Sequence, residues 1–442
     1  MSVPTSAELK NVGGIVGFSD VDAPEPELLK ACVHCGMCLA SCPTYRITGQ
    51  EMSSPRGRLW LMSAVSQGRL SIDDELFQEQ MYQCLNCRAC EAVCPSGVAY
   101  GRIIEHVRAQ TAAAPVTGRT KRGMRRFLLR NVVARPRVLR VACLPARWLA
   151  TSRVRSVVER IRLPGRMGQL VAPLRQLPSR PGARFDGEAL PATTSGRDPA
   201  VAMFAGCVMN ELFGNVHRAT VRVLEAAGAE VSYPRGQGCC GALHAHDGDL
   251  AFARERARAT IAAFETDPKA AVVVNSAGCG AAMKEYGELL AGDTAWAGRA
   301  AAFSALVKDF SEALSDCGGI AGLQMGGRVA YQDACHLAHA QRIRQQPRDA
   351  LASVSGLECV ETPGSDLCCG AAGIYSLVQP GMSAELRTRK AIAFRDADPD
   401  YVVTSNPGCQ MQYEAAVREA GVKARVMHLA ELLDEALPPA TH

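Results

Sequence analysis

Two cysteine runs of identical spacing constrain this chain more than any other feature. Cys32, Cys35, Cys38 and Cys42, followed by Pro43, form C-x2-C-x2-C-x3-C-P, and Cys84, Cys87, Cys90 and Cys94, followed by Pro95, repeat it. The chain holds 19 cysteines, an odd number, so at least one thiol lies outside any complete pairing scheme. The first 20 residues carry one lysine and no apolar stretch ending in small residues, so no secretory signal or Arg-rich transit peptide is expected. The default compartment is then the cytoplasm, where thiols stay reduced, and the cysteines point to metal or redox chemistry instead of a disulfide framework. A length of 442 residues gives room for two or three folded units, each able to bury a core. Apolar stretches such as Ala270 to Val274 fall far short of the ~18 residues a membrane-spanning helix needs.

The repeated run has the ligand spacing of bacterial two-cluster ferredoxins. Three thiolates on a tight loop cap one face of a cubane, and the fourth, one residue further on, points to the other cluster. Cys32, Cys35, Cys38 and Cys94 are therefore expected to hold one 4Fe–4S centre, and Cys84, Cys87, Cys90 and Cys42 the second. Zinc is the alternative, but a zinc site has no use for the evenly tripled run or the trailing proline. Between the runs, Ser54 as N-cap and Pro55 at the first helical position introduce Leu59, Trp60, Leu61, Met62 and Val65 at helical spacing. Arg56 and Arg58 either offset the charge of a reduced cluster or form a solvated first turn.

From Arg119 to Arg184 the chain carries 17 arginines and one lysine against one acid, Glu159, while the whole chain nets +5. Pro136, Pro145, Pro164, Pro173, Pro178 and Pro181 punctuate it. Phe127, Leu128, Val132, Val133, Leu139, Leu144 and Trp148 interleave with the arginines. Short basic amphipathic helices broken by prolines fit this pattern. They suit an anionic membrane surface, at about 1 kcal/mol per basic residue near lipid, or an acidic partner subunit, or simply a solvated linker. No nucleic-acid motif is recognisable and aromatic interleaving is slight, so nucleic acid is not the expected partner. Residues 185–199 read as a flexible joint.

The remainder is duplicated. Cys207, Cys239-Cys240-Gly241 and Cys279 are answered by Cys335, Cys368-Cys369-Gly370 and Cys409, with offsets of 32 and 39 residues in one copy and 33 and 40 in the other. Each copy has a β-α-β-α-β rhythm. The first offers strands at 200–205, 230–233 and 271–275 with helices at 216–227 and 250–264, and the second offers strands at 328–332, 357–362 and 401–404. Strands alternating with helices imply parallel, Rossmann-like sheets, in which every cysteine group follows the carboxyl end of a strand, where such sheets bind ligands. Cys207, Cys239, Cys240 and Cys279 then share one crevice and Cys335, Cys368, Cys369 and Cys409 another, as a metal cluster, a redox-active vicinal pair or small buried hydrophobes. The expected fold is α+β and multidomain. A helical two-cluster ferredoxin domain spans 1–115, a basic Pro/Arg-rich helical linker 116–199, and two homologous Rossmann-like halves 200–315 and 325–442.

Gly236-Gln237-Gly238-Cys239-Cys240-Gly241 also satisfies the dinucleotide fingerprint G-x-G-x-x-G. The second copy refutes it, with Ser365 and Leu367 in place of the first two glycines. No flavin or nicotinamide site remains. Cys143, Cys317 and Cys359 match nothing in the other copy, and Cys359 is expected in the core. His244, His246, His336 and His339 flank the cysteine groups as cluster ligands or as ordinary core or surface histidines.

The arrangement resembles the iron–sulfur subunit of bacterial glycolate oxidase (glycolate dehydrogenase). The resemblance is carried by Ala31-Cys-Val-His-Cys-Gly through Cys42-Pro-Thr-Tyr45, by Pro55-Arg-Gly-Arg58 and by Cys94-Pro-Ser-Gly97. Gly278-Cys-Gly280, Lys284-Glu-Tyr-Gly287, His339-Ala-Gln341 and Leu367-Cys-Cys-Gly-Ala-Ala-Gly373 extend it. The C-terminal half is similar to the Cys-Cys-Gly subunit of heterodisulfide reductases, and the same architecture occurs in iron–sulfur subunits of anaerobic glycerol-3-phosphate and some lactate dehydrogenases. The resemblance implies an electron-transfer subunit with two 4Fe–4S clusters and, beyond those, one further iron–sulfur cluster per Cys-Cys-Gly repeat. FAD would reside only in partner dehydrogenase subunits, which oxidise glycolate to glyoxylate. Electrons would go to a quinone or other respiratory acceptor, with the chain peripheral on the cytoplasmic face of the inner membrane. The alternatives are the same role in a lactate or glycerol-3-phosphate dehydrogenase complex, or an enzyme acting at its own Cys-Cys-Gly clusters. The heterodisulfide reductase pattern has a fifth cysteine where this chain has Ala282 and Gln412, which weakens the last alternative.

Overall fold

The computed structural model describes residues 17–114, 119–151, 178, 181–187, 190–196, 198–267 and 270–439. The chain divides into two compact units, one formed by Met1–Arg130 with Ala242–Ala253 and the other by Asn131–Gly241 with Arg254–His442.

The first unit is built from helices. Between the cysteine runs lie Pro55–Ser66 and Glu75–Gln83, and Tyr100–Ala113 follows the second run. Ser54 caps its helix as expected, its side chain accepting from the Gly57 N–H at 3.0 Å, with Pro55 at the first helical position. Leu59, Met62 and Val65 then face Phe77, Met81, Ile103, Ile104 and Val107 in one apolar core. Trp60 falls on the outer face, 53% exposed, with Arg69 over its ring. Gly57 fits because a Cβ there would meet the Glu51 carbonyl at 2.0 Å, so the capping turn packs directly on the helix.

The second unit contains two parallel sheets. β1 (Ala200–Phe204), β2 (Glu230–Ser232), β3 (Ala271–Val274) and β4 (Val307–Asp309) pair in the order β2-β1-β3-β4. β5 (Gln324–Tyr331), β6 (Ser355–Cys359), β7 (Tyr401–Thr404) and β8 (Arg425–His428) pair as β6-β5-β7-β8, the same order. Val201 aligns with Ala271 across β1 and β3, as Val329 does with Tyr401 across β5 and β7. The six expected strands all form, and each sheet gains a fourth at its edge. Those two strands are short and hold few apolar residues, with Lys308 in the middle of one and Arg425 and His428 at the ends of the other, so periodicity does not announce them. Cys359 lies in its strand but is exposed instead of buried, because β6 is an edge strand pairing only with β5.

The basic stretch also departs in part from expectation. Helices form at Arg119–Leu128 and Pro136–Thr151, and Pro145 sits inside the latter without breaking it. Pro164 and Pro173 lie outside the described residues. In the expected joint, Phe185 is buried, with Tyr233 edge-on at 5.4 Å, and Thr194 and Ser195 hydrogen-bond to Asp267 and Glu230.

The two sheets share one apolar core that includes Val201, Met203, Val273, Val329, Val403 and Met427. A buried polar seam joins them. Asn275, just past β3, donates to His217 Nδ1 at 2.9 Å, and its carbonyl accepts from His428 Nε2 at 2.9 Å. His428 Nδ1 in turn accepts from the Ala430 N–H, so the neutral ring caps the helix Leu429–Glu435. A second proton would occupy that acceptor. Burial pushes the His428 pKa down to about 4 and that of His217 to about 3.

Because both folded-state values lie below the unfolded one, the unfolded chain binds more protons, and stability is lost as pH falls from about 6.5 toward 4. For His428 alone the loss reaches about 3 kcal/mol. His428→Asn keeps a capping acceptor but removes the titrating ring, so its melting temperature is expected to fall less steeply than wild type between pH 6.5 and 4. Parallel pH profiles would show that the seam does not control acid stability.

Candidate metal centres

The two cysteine runs fold into matching loops because the same positions take left-handed backbone. His34 and Asn86, two residues after Cys32 and Cys84, have φ of 54° and 50°, and Gly36 and Arg88 follow at 84° and 61°. Each loop thus carries two left-handed residues within seven, one of them between each pair of successive cysteines. Glycine relieves the strain in the first loop. In the second, Arg88 is held there by Glu91, whose Oε2 accepts from Arg88 Nε at 2.8 Å.

Cys42, Cys84, Cys87 and Cys90 line one cavity, with Arg58 and Tyr100 in its wall. Burial raises the Cys90 thiol well above its ordinary range, and Cys87, Cys84 and Cys42 add to the effect. The last cysteine of the first run therefore stands with the first three of the second. The Tyr100 hydroxyl is buried without a hydrogen-bond partner, so a donor stands ready in the wall. The Asn86 N–H also points to Cys84 Sγ at 3.3 Å. Four convergent thiols, a buried cation and spare donors make a donor set that fits an anionic iron–sulfur cluster.

Arg58 is no solvated first-turn residue. It is 1% exposed, with Nε on the Gln80 carbonyl at 2.7 Å and Nη1 on the Ser53 carbonyl at 2.7 Å. Arg56 stays near the surface, paired with Glu51 at 2.6 Å, and donates to the His34 carbonyl in the first loop. Of the other four thiols, Cys38 has Cys32 among its near charges, Cys35 is exposed, and Cys32 and Cys94 border the core of this unit.

In the second unit each cysteine group follows a strand end: Cys207 after β1, Cys239-Cys240 after β2, Cys279 after β3, and Cys335, Cys368-Cys369 and Cys409 after β5, β6 and β7. Cys207 interacts with Cys239 and Cys279, and Cys240 with Cys239 and Cys279, which brings the four thiols together. Shared hydrogen bonds and burial raise Cys207 and Cys240 well above the usual thiol range. In the second half Cys335 contacts Cys368, Cys368 contacts Cys369, and Cys369 Sγ lies 3.5 Å from Cys409 Sγ. Cys369 is held well below its ordinary value by the hydrogen bonds it shares with Cys368 and Cys409, with Lys390 adding to them. The Tyr413 hydroxyl, close to all four sulfurs, is buried and unpartnered. No group of three or more His, Cys, Asp or Glu among the described residues has the geometry of a single-ion site.

Several supporting residues give no advance signal in the sequence. Gln412, at the place of the fifth cysteine in the heterodisulfide reductase pattern, donates to the carbonyls of Cys369 and Ser383, both at 3.1 Å. Asn406 Nδ2 faces Cys409 Sγ at 3.5 Å, and its Oδ1 accepts from the Gly278 N–H of the other half at 3.4 Å. Of the flanking histidines, His336 Nδ1 lies 3.7 Å from Cys335 Sγ, and His339 bonds to the Asp366 carbonyl and Arg344. His246 pairs with Glu105, and His244 is fully buried against Phe252. Cys143 is buried in the apolar core and Cys317 is half-buried at its edge.

Comparison with known proteins adds to this geometry. Residues 28–98 match the family model described as "4Fe-4S dicluster domain", and residues 201–284 and 329–414 each match "Cysteine-rich domain" (CCG). The chain is 37% identical to the "Probable glycolate oxidase iron-sulfur subunit" of Bacillus subtilis and 33% identical to the "Glycolate oxidase iron-sulfur subunit" of Escherichia coli, each over 93% of this chain and 94% of the relative. "Lactate utilization protein A" of Oceanobacillus iheyensis is 31% identical over 53% of this chain and 96% of its own length.

The cavity makes a specific pairing testable. Cys42→Ser is expected to abolish the same cluster EPR signal as Cys87→Ser and to spare the signal lost in Cys35→Ser. Loss of the Cys35-dependent signal instead would assign each cluster to one uninterrupted run.

Proposed function

Because this chain belongs to the family of glycolate oxidase iron–sulfur subunits, with 33–37% identity across 93% of its length, we propose that it carries electrons from glycolate oxidation, performed by flavin-binding partner subunits, toward a respiratory acceptor. Iron–sulfur clusters supply one-electron uptake and release, which a two-electron flavin needs in order to be emptied stepwise. Everything else is the work of this chain's residues. Cys32, Cys35, Cys38 and Cys94 hold one 4Fe–4S cluster and Cys84, Cys87, Cys90 and Cys42 the other. Cys207, Cys239, Cys240 and Cys279, then Cys335, Cys368, Cys369 and Cys409, hold one further cluster in each repeat. Arg58 and Tyr100 place a cation and a hydroxyl beside the second cluster of the first unit. The observation that carries the reading is the cavity in which Cys42 joins Cys84, Cys87 and Cys90.

We read the chain as four parts, 1–115, 116–199, 200–315 and 325–442, supported by the family matches at 28–98, 201–284 and 329–414. Each C-terminal half is Rossmann-like, a reading supported by its all-parallel strand order. The acceptor is a quinone or another component of the respiratory chain, and the chain works at the cytoplasmic face of the inner membrane.

No helix among the described residues is long and apolar enough to cross a membrane. Surface attachment is supported by Met124 and Phe127, each 59% exposed on the Arg-rich helix Arg119–Leu128, and by Val141 and Trp148, 65% and 66% exposed on Pro136–Thr151. Wild type is expected to sediment with vesicles containing anionic lipid and to be released by salt. Phe127→Asp with Val141→Asp should reduce the bound fraction about tenfold, and equal binding of wild type and variant would remove the membrane from this reading.

The main experiment is anaerobic. The chain is purified with its co-purifying subunits and glycolate is added while the iron–sulfur absorbance is followed. Bleaching by glycolate, but not by lactate or glycerol 3-phosphate, is the expected result. Reduction by one of the other substrates alone would move the chain to the corresponding dehydrogenase. Iron analysis is expected to give about sixteen irons per chain, against about eight if only the ferredoxin-type runs are loaded.

A further inference from the structure

The two Cys-Cys-Gly sites differ in one charge. Lys390, on the helix Pro380–Ala397, is 4% exposed and lies beside Cys368, Cys369 and Cys409. Its Nζ donates to Gln332 Oε1 at 2.8 Å, to the Gly364 carbonyl at 2.6 Å and to the Ser365 carbonyl at 3.3 Å. Three acceptors match the three N–H groups of an ammonium, whereas a neutral amine could serve only two. The Tyr413 ring lies 5.6 Å from the same nitrogen. Burial by itself pulls the Lys390 pKa down, and the three acceptors oppose it by serving the charged form and holding it in one place; among the described residues Asp366 is a carboxylate whose charge acts on it, without an ion pair.

Among the described residues the first site has no such group. Phe264 and Phe394 both stand 15 residues before the last cysteine of their repeats, and four residues before each are Thr260 and Lys390. Thr260 is 2% exposed and neutral, and it hydrogen-bonds with Tyr286. The largest influences on Cys207 and Cys240 are the other thiols of their own site and burial, and none of them is a cation.

We propose that Lys390 is the fixed countercharge of the second Cys-Cys-Gly site, that the first site lacks one, and that electrons reaching the C-terminal half therefore collect on the second site. The inference rests on the reading that both repeats hold iron–sulfur clusters. Each one-electron reduction, supplied by the flavin subunits, adds one negative charge to a buried anionic site. In a low-dielectric interior that charge is costly unless a cation is already positioned to meet it. Lys390 meets it without moving and without giving up a proton, since all three of its N–H groups are engaged. Lys390 is a positioning residue; it tunes the site and transfers nothing.

The test is an anaerobic redox titration of the full complex by EPR, with the two sites assigned by the signals lost in Cys239→Ser and Cys368→Ser. At the wild-type midpoint of the second site, Lys390→Met is expected to lower its reduced-to-oxidised ratio about tenfold, equivalent to ~59 mV for a one-electron couple. The first site should be unchanged, and Lys390→Arg should stay within threefold of wild type. Thr260→Lys should shift the first site about tenfold in the opposite sense, and it decides the matter should Lys390→Met lose iron. An unmoved second site in an iron-replete Lys390→Met protein, equal shifts at both sites, or a first site indifferent to Thr260→Lys would each overturn the proposal. A wild-type chain with about eight irons, and no signal that Cys239→Ser or Cys368→Ser removes, would instead defeat the reading of clusters in the repeats, and this inference with it.

Discussion

Gathering thiolates inside a protein concentrates negative charge where water cannot screen it, and the rest of this structure answers that problem. At the cavity of the first unit the answer is a buried guanidinium, Arg58, with the Asn86 N–H aimed at Cys84 Sγ. In the first repeat the Gly241 N–H faces Cys239 Sγ at 3.4 Å. In the second, Asn406 and Lys390 take that part. Each compensating group is itself fastened by several hydrogen bonds or by backbone geometry, so it need not reorganise when charge arrives. The mutual positions of sulfur and N–H are what the loops, caps and seams exist to maintain.

Duplication of a parallel sheet is an economical way to do this twice. Strand ends separated by tens of residues in sequence are neighbours in space, so three chain segments deliver four thiols to one edge of a sheet. The same β2-β1-β3-β4 order in both halves places corresponding cysteines at corresponding ends. The Asn275, His217 and His428 seam then ties one half to the other through two imidazole rings whose nitrogens are all engaged when the rings are neutral. Asn406 adds a direct link from Cys409 to the Gly278 N–H, so the last cysteines of the two repeats are not set independently.

Much of this was legible in the sequence because iron–sulfur ligation imposes spacing on nearby residues. The two runs, the Cys-Cys-Gly duplication and the Ser54-Pro55 helix start are local patterns, and the strands between cysteine groups are apolar enough to read. The features that local pattern does not carry depend on tertiary context. Lys390 follows Arg387 and Arg389 with nothing in the sequence to set it apart, yet of the three cations it is the one whose side chain is buried. Arg58 likewise reads as one of two first-turn arginines, although burial separates it from Arg56. Cys359 differs for the opposite reason: its strand reads as core, and its exposure follows from its position at the sheet edge.

The first unit takes residues 242–253 as its own, although residues 131–241 of the second unit intervene. Arg130 meets Asp249 through two bonds of 2.6 Å, and Arg108 bonds to the His246 carbonyl at 2.8 Å. Synthesis runs from the N-terminus, so both ferredoxin-type cysteine runs leave the ribosome long before the segment 242–253 that their unit includes. Until residue 253 has emerged, the cavity formed by Cys42, Cys84, Cys87 and Cys90 belongs to an incomplete fold. A fragment ended at residue 130 lacks the partners that Arg108 and Arg130 find here, so the N-terminal module draws part of its packing from a segment encoded more than a hundred codons downstream.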